Sequence, residues 1–179
     1  MIFYSIPWAT DKNIGRYYNS VMELLKDNDY ACFVDGDAMF TTQYFGKQLE
    51  CIITKYPDCG LFTAVTNRIG CKWQRVFDWH ENDLLKHREF GKKLQDEKYT
   101  DVLDVSNVTR REVMGGVLIL IKKSTWNKLG KFPELGMLGI DNAIHWQAMN
   151  HGEKVYCMTG VYMMHYYRNG IPGDKQHLL

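Results

Sequence analysis

The sequence predicts a single-domain α/β fold with a mixed, mostly parallel sheet flanked by helices, and three observations carry that expectation. Tyr30-Ala31-Cys32-Phe33-Val34 is an apolar run without polar alternation, the mark of a strand buried on both faces, and it stops at Asp35-Gly36-Asp37. The chain before it reads strand, helix, strand, a crossover unit that favours parallel pairing. A second buried run over residues 61–66 also ends in polar groups, Asn67-Arg68.

Taken in order, residues 2–6 form a first strand closed by Pro7, which cannot donate to a ladder. Asp11 or Asn13 can cap a helix reaching about Lys26, with Ile14, Tyr17, Tyr18, Val21, Met22, Leu24 and Leu25 on its apolar face. Thr41 or Thr42 can cap a second helix through Lys55 that turns Phe45, Leu49, Ile52 and Ile53 inward. Residues 73–100 change in composition and read as an insertion or flap over the sheet edge, with a charged, solvated helix over 86–98. Residues 102–105 form a short strand, and Gly115-Gly116 feed a buried strand ending at Ile121. Ser124 caps a short helix, residues 140–149 form the last clear helix, and residues 154–158 the final strand. Residues 169–179 read as a loose tail, and 1–179 as one domain.

Composition bounds the function classes. Apolar residues make up 45% of 179 and the net charge is +1 from 22 basic and 21 acidic side chains, so no bulk attraction to nucleic acid or anionic membrane follows, and no clear nucleic-acid patch stands out. The five cysteines form no C-x-x-C pair, which indicates neither a disulfide framework nor a zinc site. No apolar run approaches the ~20 residues of a transmembrane segment, and no basic-then-apolar leader opens the chain, so the expected compartment is cytoplasmic.

The chemistry concentrates at strand ends. Carboxylates one residue apart at the C-terminal end of a buried strand stand where open α/β sheets bind ligands, and Gly36 lets the backbone turn so that Asp35 and Asp37 can face one hard cation. The same Asp-Gly is also an ordinary turn signal. Asn67 and Arg68 face that edge, as cap or as functional groups. Gly115-Gly116 permit close approach of the backbone to a ligand, or mark a bend. Asp141 is a helix cap or a candidate base, and His165 a packed ring or a further metal ligand. His80, Glu81, Asp83 and His87 mimic a metal cluster but match no zinc spacing. Trp8, Trp73 and Trp79 can stack on sugars or pack in the core.

The order of these features, Asp-x-Asp after a buried strand, a Gly-Gly strand, Gly-x-Asp-Asn opening a helix and a late histidine, resembles the GT-A glycosyltransferases, closest to glycosyltransferase family 2, from about Asn13 to Arg168. The resemblance implies a Rossmann-like fold, with Asp35, Asp37 and His165 on Mn²⁺ (or Mg²⁺) and Asp35 also at the nucleotide-sugar donor, a UDP-sugar. It implies Asp141 as catalytic base in a transfer with inversion, and Gly115 and Gly116 beside the donor sugar. Asn13, Gly15, Arg16 and Asn19 match the segment near the nucleotide, with Pro7 and Trp8 shaping its pocket and Arg16 or Arg168 adding charge at the phosphates. Members normally place a further helix and strand before the Asp-x-Asp strand, where this chain has one strand only. Asp141-Asn142 is also similar to the Glu-Asn of the retaining polypeptide N-acetylgalactosaminyltransferases. The acceptor is open. Two alternatives stand beside this expectation: a non-catalytic sugar- or partner-binding domain of the same fold, and a haloacid-dehalogenase-type phosphatase, in which Met39 would usually be Thr or Val.

Overall fold

A computed structural model describes residues 1–76, 82–134 and 136–166. The strands among these residues are β1 (Ile2–Ser5), β2 (Tyr30–Val34), β3 (Ala38–Phe40), β4 (Cys59–Thr66), β5 (Val102–Asp104), β6 (Leu118–Lys122) and β7 (Lys154–His165). The helices are α1 (Ile14–Glu23), α2 (Phe45–Lys55), α3 (Leu84–Glu97), α4 (Lys123–Leu129) and α5 (Ile140–Asn150). The strands form one seven-stranded sheet in the order β1-β2-β6-β4-β7-β3, with β5 also on β7.

The α/β class holds, and the sheet is mixed. Only β1 with β2 and β4 with β7 are parallel pairs, while β2–β6, β4–β6, β3–β7 and β5–β7 are antiparallel. The expectation of a mostly parallel sheet is corrected on this point. β6 enters between β2 and β4 from the opposite edge and so opposes both neighbours, and two short strands, β3 and β5, line the far side of β7. β1, β2, β4 and β7 still run the same way. β6 consequently begins where β2, β4 and β7 end, with Leu118 opposite Val34.

Both faces of the sheet are covered, which is why β2 and β4 read as unbroken apolar runs. Ala31, Phe33, Leu61, Ile119 and Ile121 pack with Tyr18 and Met22 of α1, Trp126 of α4 and Ile144 of α5. Tyr30, Cys32, Val34, Phe62 and Leu120 pack against Leu49 and Ile52 of α2 on the other face. α3 is more deeply engaged than its charge suggests. His87 is buried, its Nδ1 2.7 Å from the Tyr162 hydroxyl, Phe90 stands edge-on to the same ring, and Leu94 joins the core.

Three local expectations are corrected. α2 starts at Phe45 behind Tyr44, whose φ of 58° is left-handed; Thr41 instead donates its hydroxyl to Tyr162 O, and Thr42 accepts from Gln95. α4 starts at Lys123, so Ser124 lies inside the helix without capping it. The last strand does not stop at Met158. It passes through a bulge at Thr159-Gly160-Val161, since Met158 pairs with Ala64 and Tyr162 with Val65, and continues to His165. A Cβ on Gly160 would lie 2.0 Å from Lys98 O, and Gln48 Nε2 donates to Gly160 O, so the bulge needs glycine. That bulge delivers His165 to the edge where Asp35 and Asp37 emerge.

Candidate metal and active site

The Asp35-Gly36-Asp37 segment is a turn and also presents both carboxylates. Ala38 N donates to Asp35 O at 3.0 Å, yet no hairpin forms, because β3 pairs with β7 and not with β2. Asp35 N donates to Val117 O, extending the β2–β6 ladder by one residue, and Tyr166 N donates to Asp37 O at 2.8 Å. Asp35 and Asp37 are thereby fastened to β6 and to the end of β7.

His165 is fixed from two sides. The Asn67 side chain acts as one more rung of the β4–β7 ladder, accepting from His165 N at 2.8 Å and donating to His165 O at 3.1 Å. The His165 ring donates from Nδ1 to Arg68 O at 2.7 Å, because a carbonyl can only accept. Nε2 then faces Asp37 Oδ1 at 3.1 Å. The other Asp37 oxygen accepts from Arg68 Nη2 at 3.2 Å. One donor atom each from Asp35, Asp37 and His165 lies within 4.8 Å of the other two.

The donor set suits a divalent cation. With its proton held on Nδ1, a neutral His165 turns the Nε2 lone pair toward a carboxylate oxygen, an arrangement relieved by a positive charge between them. Two carboxylates and an imidazole whose other nitrogen is tied to a main-chain carbonyl match the way metal-binding histidines are oriented.

Beside this cluster the Met114-Gly115-Gly116 loop is clamped before β6. β4 and β6 pair only through Leu61–Ile121 and Phe62–Leu120, and beyond that Thr63 Oγ1 donates to Leu118 O. Gln74, wholly buried, fills the resulting wedge: its Oε1 accepts from Gly115 N at 2.7 Å, and its Nε2 donates to Gly115 O, Thr63 Oγ1 and Ala64 O. Met114 N donates to His145 Nδ1 at 2.9 Å while His145 Nε2 donates to Val105 O, and Asn142 Nδ2 donates to Met114 O. Burial lowers the His145 pKa, in keeping with a neutral ring serving both bonds.

Asp141 sits in the first turn of α5, behind Gly139 at φ 80°. A Cβ on Gly116 would stand 3.2 Å from Asp141 Cβ and 3.4 Å from its Oδ2, so glycine is what admits the carboxylate here. Burial raises the Asp141 carboxyl above its ordinary range, with hydrogen bonds from the Asn142 and Gly116 backbones opposing the shift in smaller measure. Tyr18, beneath the site, has its hydroxyl pKa raised by burial first and then by the charges of Asp35 and Asp141.

The structure thus gathers Asp35, Asp37, His165, Gly115, Gly116 and Asp141 along one edge. It places the α1 residues differently. Asn13 caps α1 by accepting from Arg16 N, and Arg16 pairs with Asp11 and Glu134. Gly15 packs so closely that a Cβ would lie 2.0 Å from Pro133 O, and Asn19 is buried, bonded to Trp126 Nε1 and to both main-chain groups of Phe132. These four fasten α1 to the segment after α4. Pro7 is half-buried, Trp8 is exposed, and Arg168, His80, Glu81 and Trp79 lie outside the described residues. Asp83 caps α3, and with His87 in the core neither joins the cluster among the described residues.

Sequence reasoning missed Gln74 and the clamping roles of His145 and Asn142. No local pattern marks a buried glutamine that bridges two diverging strands. No helix among the described residues is long and apolar enough to cross a membrane. No protein-family model and no curated protein matches the chain.

Proposed function

We propose that the chain is a metal-dependent glycosyltransferase of GT-A type that moves a sugar from a nucleotide-sugar, a UDP-sugar foremost, to an acceptor hydroxyl with inversion. The observation that carries this reading is the His165 ring, its Nδ1 proton committed to Arg68 O and its Nε2 aimed at Asp37 beside Asp35. These three residues would hold Mn²⁺ in preference to Mg²⁺, since an imidazole ligand suits manganese better. A bound cation would neutralise the charge that grows on the departing nucleoside diphosphate.

The chain's own groups supply the rest. The acceptor oxygen bonds to the anomeric carbon as the carbon–phosphate-oxygen bond breaks, the electron pair leaves with the diphosphate, and the hydroxyl proton passes to Asp141. A carboxylate with a raised pKa is a better base near neutrality than an ordinary one. The clamped Met114–Gly116 loop keeps Asp141 and the donor-side wall in fixed relation, so little reorganisation is needed during transfer. A second reading, a domain of this fold that binds without turnover, draws support from the engagement of Asn13, Gly15, Arg16 and Asn19 in packing.

Incubation with a panel of UDP- and GDP-sugars and Mn²⁺, read as release of free nucleoside diphosphate, separates the two. Metal-dependent release that Asp141→Asn reduces by about 10²–10⁴-fold supports the transferase. Binding of a nucleotide-sugar with no release under any acceptor supports the binding domain.

A further inference from the structure

Arg68 touches two of the three candidate ligands through different parts of itself. Its carbonyl takes the His165 Nδ1 proton at 2.7 Å and its guanidinium reaches Asp37 Oδ2 at 3.2 Å. The two roles separate chemically. The carbonyl belongs to the backbone just past β4 and persists under any side-chain substitution. The guanidinium stands on a flexible stem, and both it and the Asp37 carboxylate are 28–29% exposed in their side chains, at the mouth rather than under it.

With the guanidinium on Oδ2 and His165 on Oδ1, both Asp37 oxygens are engaged. A divalent cation arriving among Asp35, Asp37 and His165 brings two positive charges to a carboxylate already serving Arg68, and the two cations repel one another. Arg68 is then a cation displaced by a cation, at the edge where phosphate oxygens would enter with the metal. Guanidinium is the side chain best shaped to take such oxygens in pairs.

From this geometry we infer that Arg68 is a phosphate-binding residue that holds Asp37 until a divalent cation binds and then turns to the diphosphate carried with it. This rests on the function proposed above. It distinguishes Arg68 from Arg16, whose partners Asp11 and Glu134 lie on the other side of the connection into α1.

The test uses the full chain with Arg68→Ala and Arg68→Lys, each first shown by its melting curve to be folded. Mn²⁺ alone is titrated by the loss of its free-ion paramagnetic signal. Inorganic pyrophosphate, UDP and GDP are titrated at saturating Mn²⁺. Arg68→Ala is expected to bind Mn²⁺ as tightly as the wild type or more tightly, because a competing cation has gone. Its affinity for the diphosphate falls about tenfold or more, the size of a lost charge-assisted hydrogen bond, and Arg68→Lys falls between. Unchanged diphosphate affinity in Arg68→Ala overturns the inference, and so does an equal loss of Mn²⁺ affinity, which would make the guanidinium a support for the metal ligands. Absence of any Mn²⁺-dependent diphosphate binding by the wild type removes the proposed function and this inference with it. That outcome is told apart from failure of the inference alone because it appears before any substitution is made.

Discussion

Replacing Gln74 with leucine removes the amide that fills the wedge between β4 and β6 while keeping the volume of the side chain. Four bonds go with it: one accepted from Gly115 N and three donated, to Gly115 O, Thr63 Oγ1 and Ala64 O. The oxygens each keep further bonding capacity, so their loss is modest, but the Gly115 N–H is left facing a methyl group. An orphaned buried donor costs about 1–3 kcal/mol and each replaced neutral bond about 0.5–1.5, which puts Gln74→Leu at roughly 2–5 kcal/mol. Against a whole stability of about 5–15 kcal/mol that is a large fraction. Urea unfolding followed by tryptophan fluorescence reads it directly: with a slope of about 2 kcal/mol per molar, the midpoint falls by about 1–2.5 M and the slope stays constant. A midpoint within about 0.25 M of wild type would refute the claim that Gln74 clamps the loop, since that is only about 0.5 kcal/mol.

Asp141→Asn is expected to raise the melting temperature at pH 7 while lowering turnover. The folded-state pKa of Asp141 is raised by burial, so its stabilising contribution is present below the ordinary carboxylate pKa and is lost as pH rises through the folded value. The melting gain of the variant therefore vanishes in acid, and a gain that persists at pH 3 contradicts the assignment. Gly160→Ala forces a methyl group to within 2.0 Å of Lys98 O in the bulge of β7. Relief by backbone movement costs about 1–3 kcal/mol and shifts His165, so both the urea midpoint and Mn²⁺ affinity are expected to fall; a variant that loses stability but binds Mn²⁺ normally would separate the bulge from the site.

Much of the site was legible because it lies where strands end. The polar groups at 35–37 and 67–68 follow unbroken apolar runs, and a sheet with aligned strands brings such ends to one edge whatever else varies. Gly116 and Asp141 were readable as residue types, though the reason for the glycine, room for the Asp141 carboxylate, required the fold. The route to His165 was hidden because Gly160, read as a break, is a bulge within a continuous strand. Gln74 was hidden for a different reason. Its role depends on two strands that separate in space, and no periodicity in its own segment reports that. The α1 residues show the reverse failure: a helix start rich in Asn, Gly and Arg suits phosphate binding by composition, yet Asn19 and Gly15 are consumed in packing against Phe132 and Pro133.

The central claim is that Asp35, Asp37 and His165 form a cation site that carries a nucleoside diphosphate. Calorimetric titration with UDP and with GDP, each with and without Mn²⁺, on the wild-type chain and on folded Asp37→Ala, tests it most directly. The account predicts binding of one nucleotide in the micromolar range, about −8 kcal/mol, that disappears without Mn²⁺ and is lost in Asp37→Ala. Binding that is indifferent to the metal and to Asp37, or no binding at all, would contradict it.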